Sequence, residues 1–167
     1  MMLDYTIPKP RQTQGYPLHR MIAALADGSP VLFADRGDHL LVRSAKHITP
    51  QGQALAQPQT GAVIAFELQA SVAARKGGKN IYPDLHDWRI RRAWLEAQGL
   101  KHGFEVMAVH VTGERMRVTD HSGRAFSIDA SHFTGVLKVT DAALLSQALV
   151  TGIGRVGKAF GMGLLIL

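Results

Sequence analysis

The order strand, helix, strand, strand occurs twice along this chain, and the second occurrence continues into another helix and a last strand. Leu3–Pro8 reads as a strand, closed by Pro8 and Pro10. Leu18, Met21, Ile22 and Leu25 then recur at helical spacing, with Pro17 suited to the first helical position and Asp27-Gly28 stopping the run. Val31–Ala34 and His39–Arg43 are short strands about a turn at Asp35–Asp38. A Gln/Pro-rich connector, Ile48–Pro58, follows, and one helical turn is expected within it.

The second round starts after Gly61. Val63, Ala65 and Glu67 alternate with Ile64, Phe66 and Leu68, as on the two faces of a strand over Ala62–Ala70. A basic loop, Arg75-Lys76-Gly77-Gly78-Lys79-Asn80, leads to a helix over His86–Gln98 with Gly99 near its end. Phe104–Val111 and Arg115–Thr119 read as paired strands, His121-Ser-Gly123 as a turn, and Ala125–Ile128 and Phe133–Val139 as further strands. Thr140-Asp141 caps a helix carrying Leu144, Leu145, Ala148 and Leu149, and Leu164–Leu167 ends the chain as a strand. The order βαββαβ is the ferredoxin-like unit. The expected fold is α+β, with tandem ferredoxin-like units over residues 1–59 and 60–167, the first abbreviated.

Between the last helix and last strand lies Gly152-Ile-Gly154-Arg155-Val-Gly157-Lys158-Ala-Phe160-Gly161-Met-Gly163. Successive free N–H groups in such a loop make an anion site, and Arg155 and Lys158 add full charge. Gly152-x-Gly154-x-x-Gly157 matches the dinucleotide fingerprint literally. That fingerprint needs a preceding strand, a following helix and an acidic residue about 20 positions on. Here a helix precedes and ten residues follow, so a nucleotide-dependent enzyme is the weakest reading. The net charge of +6 favours a polyanionic partner. With no cysteine, disulfides and thiolate zinc sites are excluded. No apolar run is long enough for a bilayer, and the first residues lack a secretory signal, so a cytoplasmic protein without a membrane partner is expected.

Four stretches, in order, carry a family resemblance. The terminal Gly152-Ile-Gly154-Arg155…Lys158-Ala-Phe160-Gly161-x-Gly163-Leu164-Leu165 resembles the glycine-rich signature of the CRISPR repeat-associated RAMP proteins. Tyr16-Pro-Leu-His19-Arg20 is similar to the start of the catalytic helix of the CasE-type endoribonucleases within that superfamily. Ala93-Trp94-Leu95-Glu96…His102-Gly103-Phe104 resembles their second-domain helix and the strand after it. Phe133-Thr-Gly135-Val-Leu137-Lys-Val139-Thr-Asp141 resembles the strand leading into their last helix. The resemblance implies metal-independent cleavage of precursor CRISPR RNA within each repeat. It also implies a CRISPR repeat RNA hairpin as partner, often with other subunits of a surveillance complex, and no cofactor.

Metal-free RNA cleavage uses the RNA's own 2′-OH and needs a base near it, an acid near the leaving 5′-oxygen and positive charge about the phosphorane. Histidine suits proton transfer near neutrality. His19 lies in the first turn of the predicted helix, whose N-terminus favours a phosphate, and Tyr16 three residues earlier reaches the same face. Tyr16 and His19 are therefore the candidate catalytic residues. Arg20, Arg75, Lys76, Lys79, Arg89, Arg92, Gly152, Gly154, Arg155 and Lys158 are the candidate RNA-binding residues. Arg91 belongs to the same basic tract, whose ordinary reading is a solvated charged face. Trp94 reads as core. The other histidines (His39, His47, His86, His102, His110, His121, His132) form no metal motif, and no metal site is expected. The alternative function is a non-cleaving RAMP-fold subunit that binds CRISPR RNA, and the abbreviated first unit favours it.

Overall fold

In the computed structural model, which describes residues 1–167, the chain forms two four-stranded antiparallel sheets and a two-stranded ribbon. The first sheet comes from β1 (Leu3–Pro8), α1 (Gly15–Leu25), β2 (Val31–Asp35), β3 (His39–Ser44) and β4 (Gln53–Ala54), with strand order β2-β3-β1-β4. β3 pairs antiparallel with both β1 and β2, so β1 and β2 run parallel and α1 is the crossover between them. Leu18 and Ile22, four residues apart on α1, pack into a core with Tyr5, Ile7, Phe33, Leu40 and Val42. The ferredoxin-like order is complete, and the abbreviation is the missing second helix. The connector holds no helical turn. Gln53 and Ala54 instead pair with Asp4 and Leu3 at the sheet edge.

The second sheet comes from β5 (Val63–Ala70), α2 (Trp88–His102), β8 (Phe104–Thr119), β9 (Ala125–Val139), α3 (Ala142–Thr151) and β10 (Leu165–Ile166). Its order, β10-β5-β9-β8, repeats that of the first sheet. The ribbon, β6 (Ala74–Lys76) and β7 (Lys79–Ile81), is inserted between β5 and α2. Phe66, Leu68, Leu95, Phe104, Phe133, Leu137 and Leu145 belong to the larger core between this sheet and its two helices.

Two boundaries differ from the sequence expectation. α2 runs on to His102 and ends at Gly103, whose φ of 76° makes the left-handed cap. Gly99 is interior to the helix, and a Cβ there would lie 2.3 Å from the Phe104 carbonyl oxygen, so glycine lets β8 start tight against α2. Second, Phe104–Val111 and Arg115–Thr119 are not partners. They are halves of one strand, each paired with β9, from Phe104 opposite Val139 to Thr119 opposite Ala125. Ala125–Ile128 and Phe133–Val139 are likewise one strand. Gly113, in the gap between the two expected segments, continues the ladder opposite Ser131. A Cβ at that position would lie 2.5 Å from the Arg91 guanidinium carbon.

The sheets are joined by a small apolar cluster and by Arg43. Leu32 and Ala34 of β2 bury against Leu164. Arg43 of β3, 3% exposed, holds the Asp4 carboxylate through Nε and Nη2, each at 2.7 Å. Its Nη1 donates to the carbonyls of Leu149 on α3 and Leu165 on β10, both at 2.9 Å. One guanidinium thus links a strand of the first sheet to the last helix and last strand of the chain.

Candidate active site and nucleic-acid interface

Helix α1 begins at Gly15 behind Gln14, two residues before the expected first position at Pro17. Tyr16 therefore lies inside the first turn and not at the cap, and His19 lies almost one turn further on. Their half-buried rings are 6.0 Å apart, tilted by 39°. Arg20 beside them is exposed. Gly15 has φ of 62°, and a Cβ there would lie 2.7 Å from Thr119 Oγ1. The start of α1 is thus seated against the end of β8.

That seat brings in residues to which the sequence alone assigns no role. His121, in the turn between β8 and β9, stands edge-on to Tyr16 at 6.1 Å and 69°. Arg117 of β8 lines a cleft of about 260 Å³ with Gln14 and Gly15. Neither has a local sequence signal, because each reaches α1 only through the β8–β9 hairpin.

The glycine-rich segment closes on the same helix. Gly152 ends α3, and Gly154 and Gly157 also take positive φ, at 88° and 87°. The Ile153 N–H donates to Gly163 O and the Gly163 N–H to Gln69 O, both at 2.8 Å, which ties the loop to β5. A 3₁₀ turn over Lys158–Phe160 then packs against α1. Two segments at opposite ends of the chain thereby share one surface.

Lys158 Nζ donates to Thr151 O at 2.9 Å, and burial lowers its pKa from the ordinary lysine value. Arg155 donates to Asn80 Oδ1 at 3.3 Å, joining the glycine-rich segment to the ribbon. Beside them lies a cleft of about 610 Å³, lined by Trp94, Lys101, His102, Gly152, Arg155 and Lys158. His102 was among the histidines with no assigned role. Its burial, and then the nearby Lys101 and Lys158 charges, lower its pKa. Trp94 stacks on Phe133 at 6.0 Å, as expected of a core residue, and its outer edge meets Gly154.

The basic tract divides into three environments. Arg75, Lys76 and Lys79 are exposed on the ribbon, with Lys76 opposite Lys79. The expected open loop is therefore a formed hairpin, turned by Gly77 and Gly78 at φ of 56° and 76°. Arg89 lies exposed over the Trp88 ring at 5.3 Å, and Arg92 pairs with Glu96 at 3.0 Å. Arg91 is fully buried, which removes it from any RNA-facing surface. It forks onto Asp129 at 2.7 and 2.9 Å and also donates to Ser131 Oγ at 2.5 Å. Arg115 binds the same carboxylate. A buried carboxylate with two guanidinium partners is a structural device.

No helix of the protein is long and apolar enough to cross a membrane. A comparison with curated proteins finds no match. Among solved structures, the chain is similar to Thermus thermophilus Cse3 bound to an RNA representing a pre-cleavage complex. That likeness has 20% identity and a TM-score of 0.80, and covers 98% of this chain and 97% of that one. It is similar to Cas6e, a CRISPR-associated protein of Escherichia coli K-12, at 26% identity and a TM-score of 0.75, over 99% and 97% of the two chains. It is also similar to a chain of a CRISPR RNA-guided surveillance complex, at 20% identity and a TM-score of 0.77, over 98% and 97%. The family model described as CRISPR associated protein matches residues 31–167. The chain therefore belongs to the CRISPR associated protein family.

Proposed function

We propose that this protein is an endoribonuclease that cuts CRISPR repeat RNA by attack of the RNA's own 2′-OH and stays with the product hairpin. The observation that carries this reading is the Tyr16–His19 pair, 6.0 Å ring to ring at the start of α1, in a fold shared with a Cse3 bound to pre-cleavage RNA. His19 takes the 2′-OH proton while the 2′-oxygen bonds to phosphorus. The bond to the 5′-oxygen breaks, and that oxygen takes up a proton. The products are a 2′,3′-cyclic phosphate and a 5′-OH. Proton transfer of this kind contributes about 10²–10⁴ in rate. The Tyr16 hydroxyl positions the 2′-OH or a phosphate oxygen, and Arg20 and Arg117 supply charge about the phosphorane.

Arg75, Lys76 and Lys79 on the ribbon, Arg89 and Arg92 on α2, and Gly154, Arg155 and Lys158 would bind the RNA backbone, whereas the expected contact at Gly152 is lost because that residue is buried with its N–H on Ala148 O at 2.8 Å. Duplex RNA is recognised by shape, phosphate and 2′-OH contacts, and a stiff basic ribbon suits that task. The partners are the repeat hairpin and other subunits of a surveillance complex, in the cytoplasm where the transcript is made. End-labelled repeat RNA incubated with the protein in EDTA tests the reading. Cutting with a cyclic phosphate on the upstream product is expected. Tight binding with no cutting would select the non-cleaving subunit instead.

A further inference from the structure

Tyr16 has a second imidazole on it, from an element far away in sequence. His19 lies 6.0 Å from the phenol ring along α1, and His121 stands edge-on at 6.1 Å from the β8–β9 turn. The turn is held in shape. The Asp120 carboxylate accepts from the Ser122 N–H at 2.9 Å, the Ser122 hydroxyl at 2.6 Å and the Arg124 N–H at 3.0 Å. The seat of Gly15 on Thr119 fixes the start of α1 against this hairpin. His121 is itself exposed. Two imidazoles therefore flank one tyrosine, one half-buried on the helix and one exposed on a braced turn.

Cleavage by 2′-OH attack needs a proton removed at one oxygen and delivered at another. One histidine cannot serve both atoms in a single step. We propose that His121 is the general acid, protonating the leaving 5′-oxygen while His19 takes the proton from the 2′-OH. The proposal rests on the endoribonuclease reading above. Protons balance: His19 ends protonated, His121 ends neutral, and exchange with water restores both. Both imidazoles adjoin the same phenol ring, at 6.0 and 6.1 Å, so a scissile phosphate bound beside Tyr16 meets His19 at its 2′-oxygen and His121 at its 5′-oxygen.

A sulfur in place of the leaving 5′-oxygen tests this, because a thiolate leaves without protonation. Wild-type cleavage first maps the scissile linkage, and the bridging sulfur is placed there. His121→Ala should cut the ordinary linkage about 10²–10⁴-fold more slowly than wild type and cut the sulfur linkage at the wild-type rate. His19→Ala should stay slow on both, and both variants should bind the hairpin as wild type does. A merely structural role for His121 would slow both substrates alike, and that result overturns the proposal. So does wild-type cutting of the ordinary linkage by His121→Ala. If wild type cuts neither RNA, the endoribonuclease reading itself fails, and the inference with it.

Discussion

Arg91 and Arg92 are neighbours in sequence and opposites in use. Arg92 reaches solvent and Glu96 one turn away, a pair whose loss changes stability by no more than about 1 kcal/mol. Arg91 is buried on Asp129, 38 residues away in sequence. Asp129→Ala strands a buried guanidinium and should cost about 3–5 kcal/mol, read from denaturant unfolding. Nothing local to Arg91 announces this, because its partner lies on a strand that comes into place only when the second sheet forms. Tyr16 and His19 were legible for the converse reason: they share a helix turn, so spacing alone puts their rings together. Their neighbour His121 was not, since it depends on the length of β8. Lys158 gives a pH signature. Burial holds its pKa below the ordinary 10.5, so the unfolded chain keeps that proton more tightly than the folded one. The stability contribution of this group is therefore poorer below the lowered pKa and improves as pH rises toward the ordinary value. A phosphate at Nζ works the other way and restores the proton. RNA binding should take up protons and weaken as the pH rises through the lowered lysine value toward the ordinary 10.5. Affinity measured across that range should show this in wild type and flatten in Lys158→Arg.

Among the elements, the ribbon is the one whose form the sequence concealed. Arg75–Asn80 contains two adjacent glycines and four polar or charged residues, a composition that suits an open loop and a hairpin turn equally. The difference is the pairing of Ala74 with Ile81 and the Arg155–Asn80 bond, and the latter depends on a residue 75 positions away. A formed ribbon carries its charges in a fixed pattern, so it contributes to backbone binding without first being ordered. Replacing Arg75, Lys76 and Lys79 with alanine should weaken hairpin binding. It should also flatten the salt dependence, by about 0.7–0.9 log units per decade of salt for each phosphate that is no longer neutralised. Affinity against salt concentration measures this, and an unchanged slope would take the ribbon out of the interface. The sequence expectation left gaps between Val111 and Arg115 and between Ile128 and Phe133, where Gly113 and Asp129 lie. In the folded chain both belong to the Arg91 site, the glycine by making room and the aspartate by binding charge.

At the scale of the molecule, two units of one strand order are docked so that the first helix meets the last loop. The recurrence of strand, helix, strand, strand made that order readable, since hydrophobic period and turn residues agree in each segment. The docking was not readable. Arg43 looks like an ordinary strand arginine until Asp4, Leu149 and Leu165 gather round it. Arg43→Ala leaves two carbonyls and a carboxylate without their donor, and should cost about 3–5 kcal/mol in thermal or denaturant unfolding. It should also slow cleavage, because the glycine-rich segment would lose its fixed distance from α1. The proposed chemistry lies at Tyr16 and His19, at the start of α1. The most direct check is single-turnover cleavage of repeat RNA in EDTA, with hairpin affinity measured beside it, for wild type and His19→Ala. Wild type should cut, and His19→Ala should bind as tightly while cutting at least about 10²-fold more slowly. Cutting by His19→Ala at the wild-type rate would contradict the account.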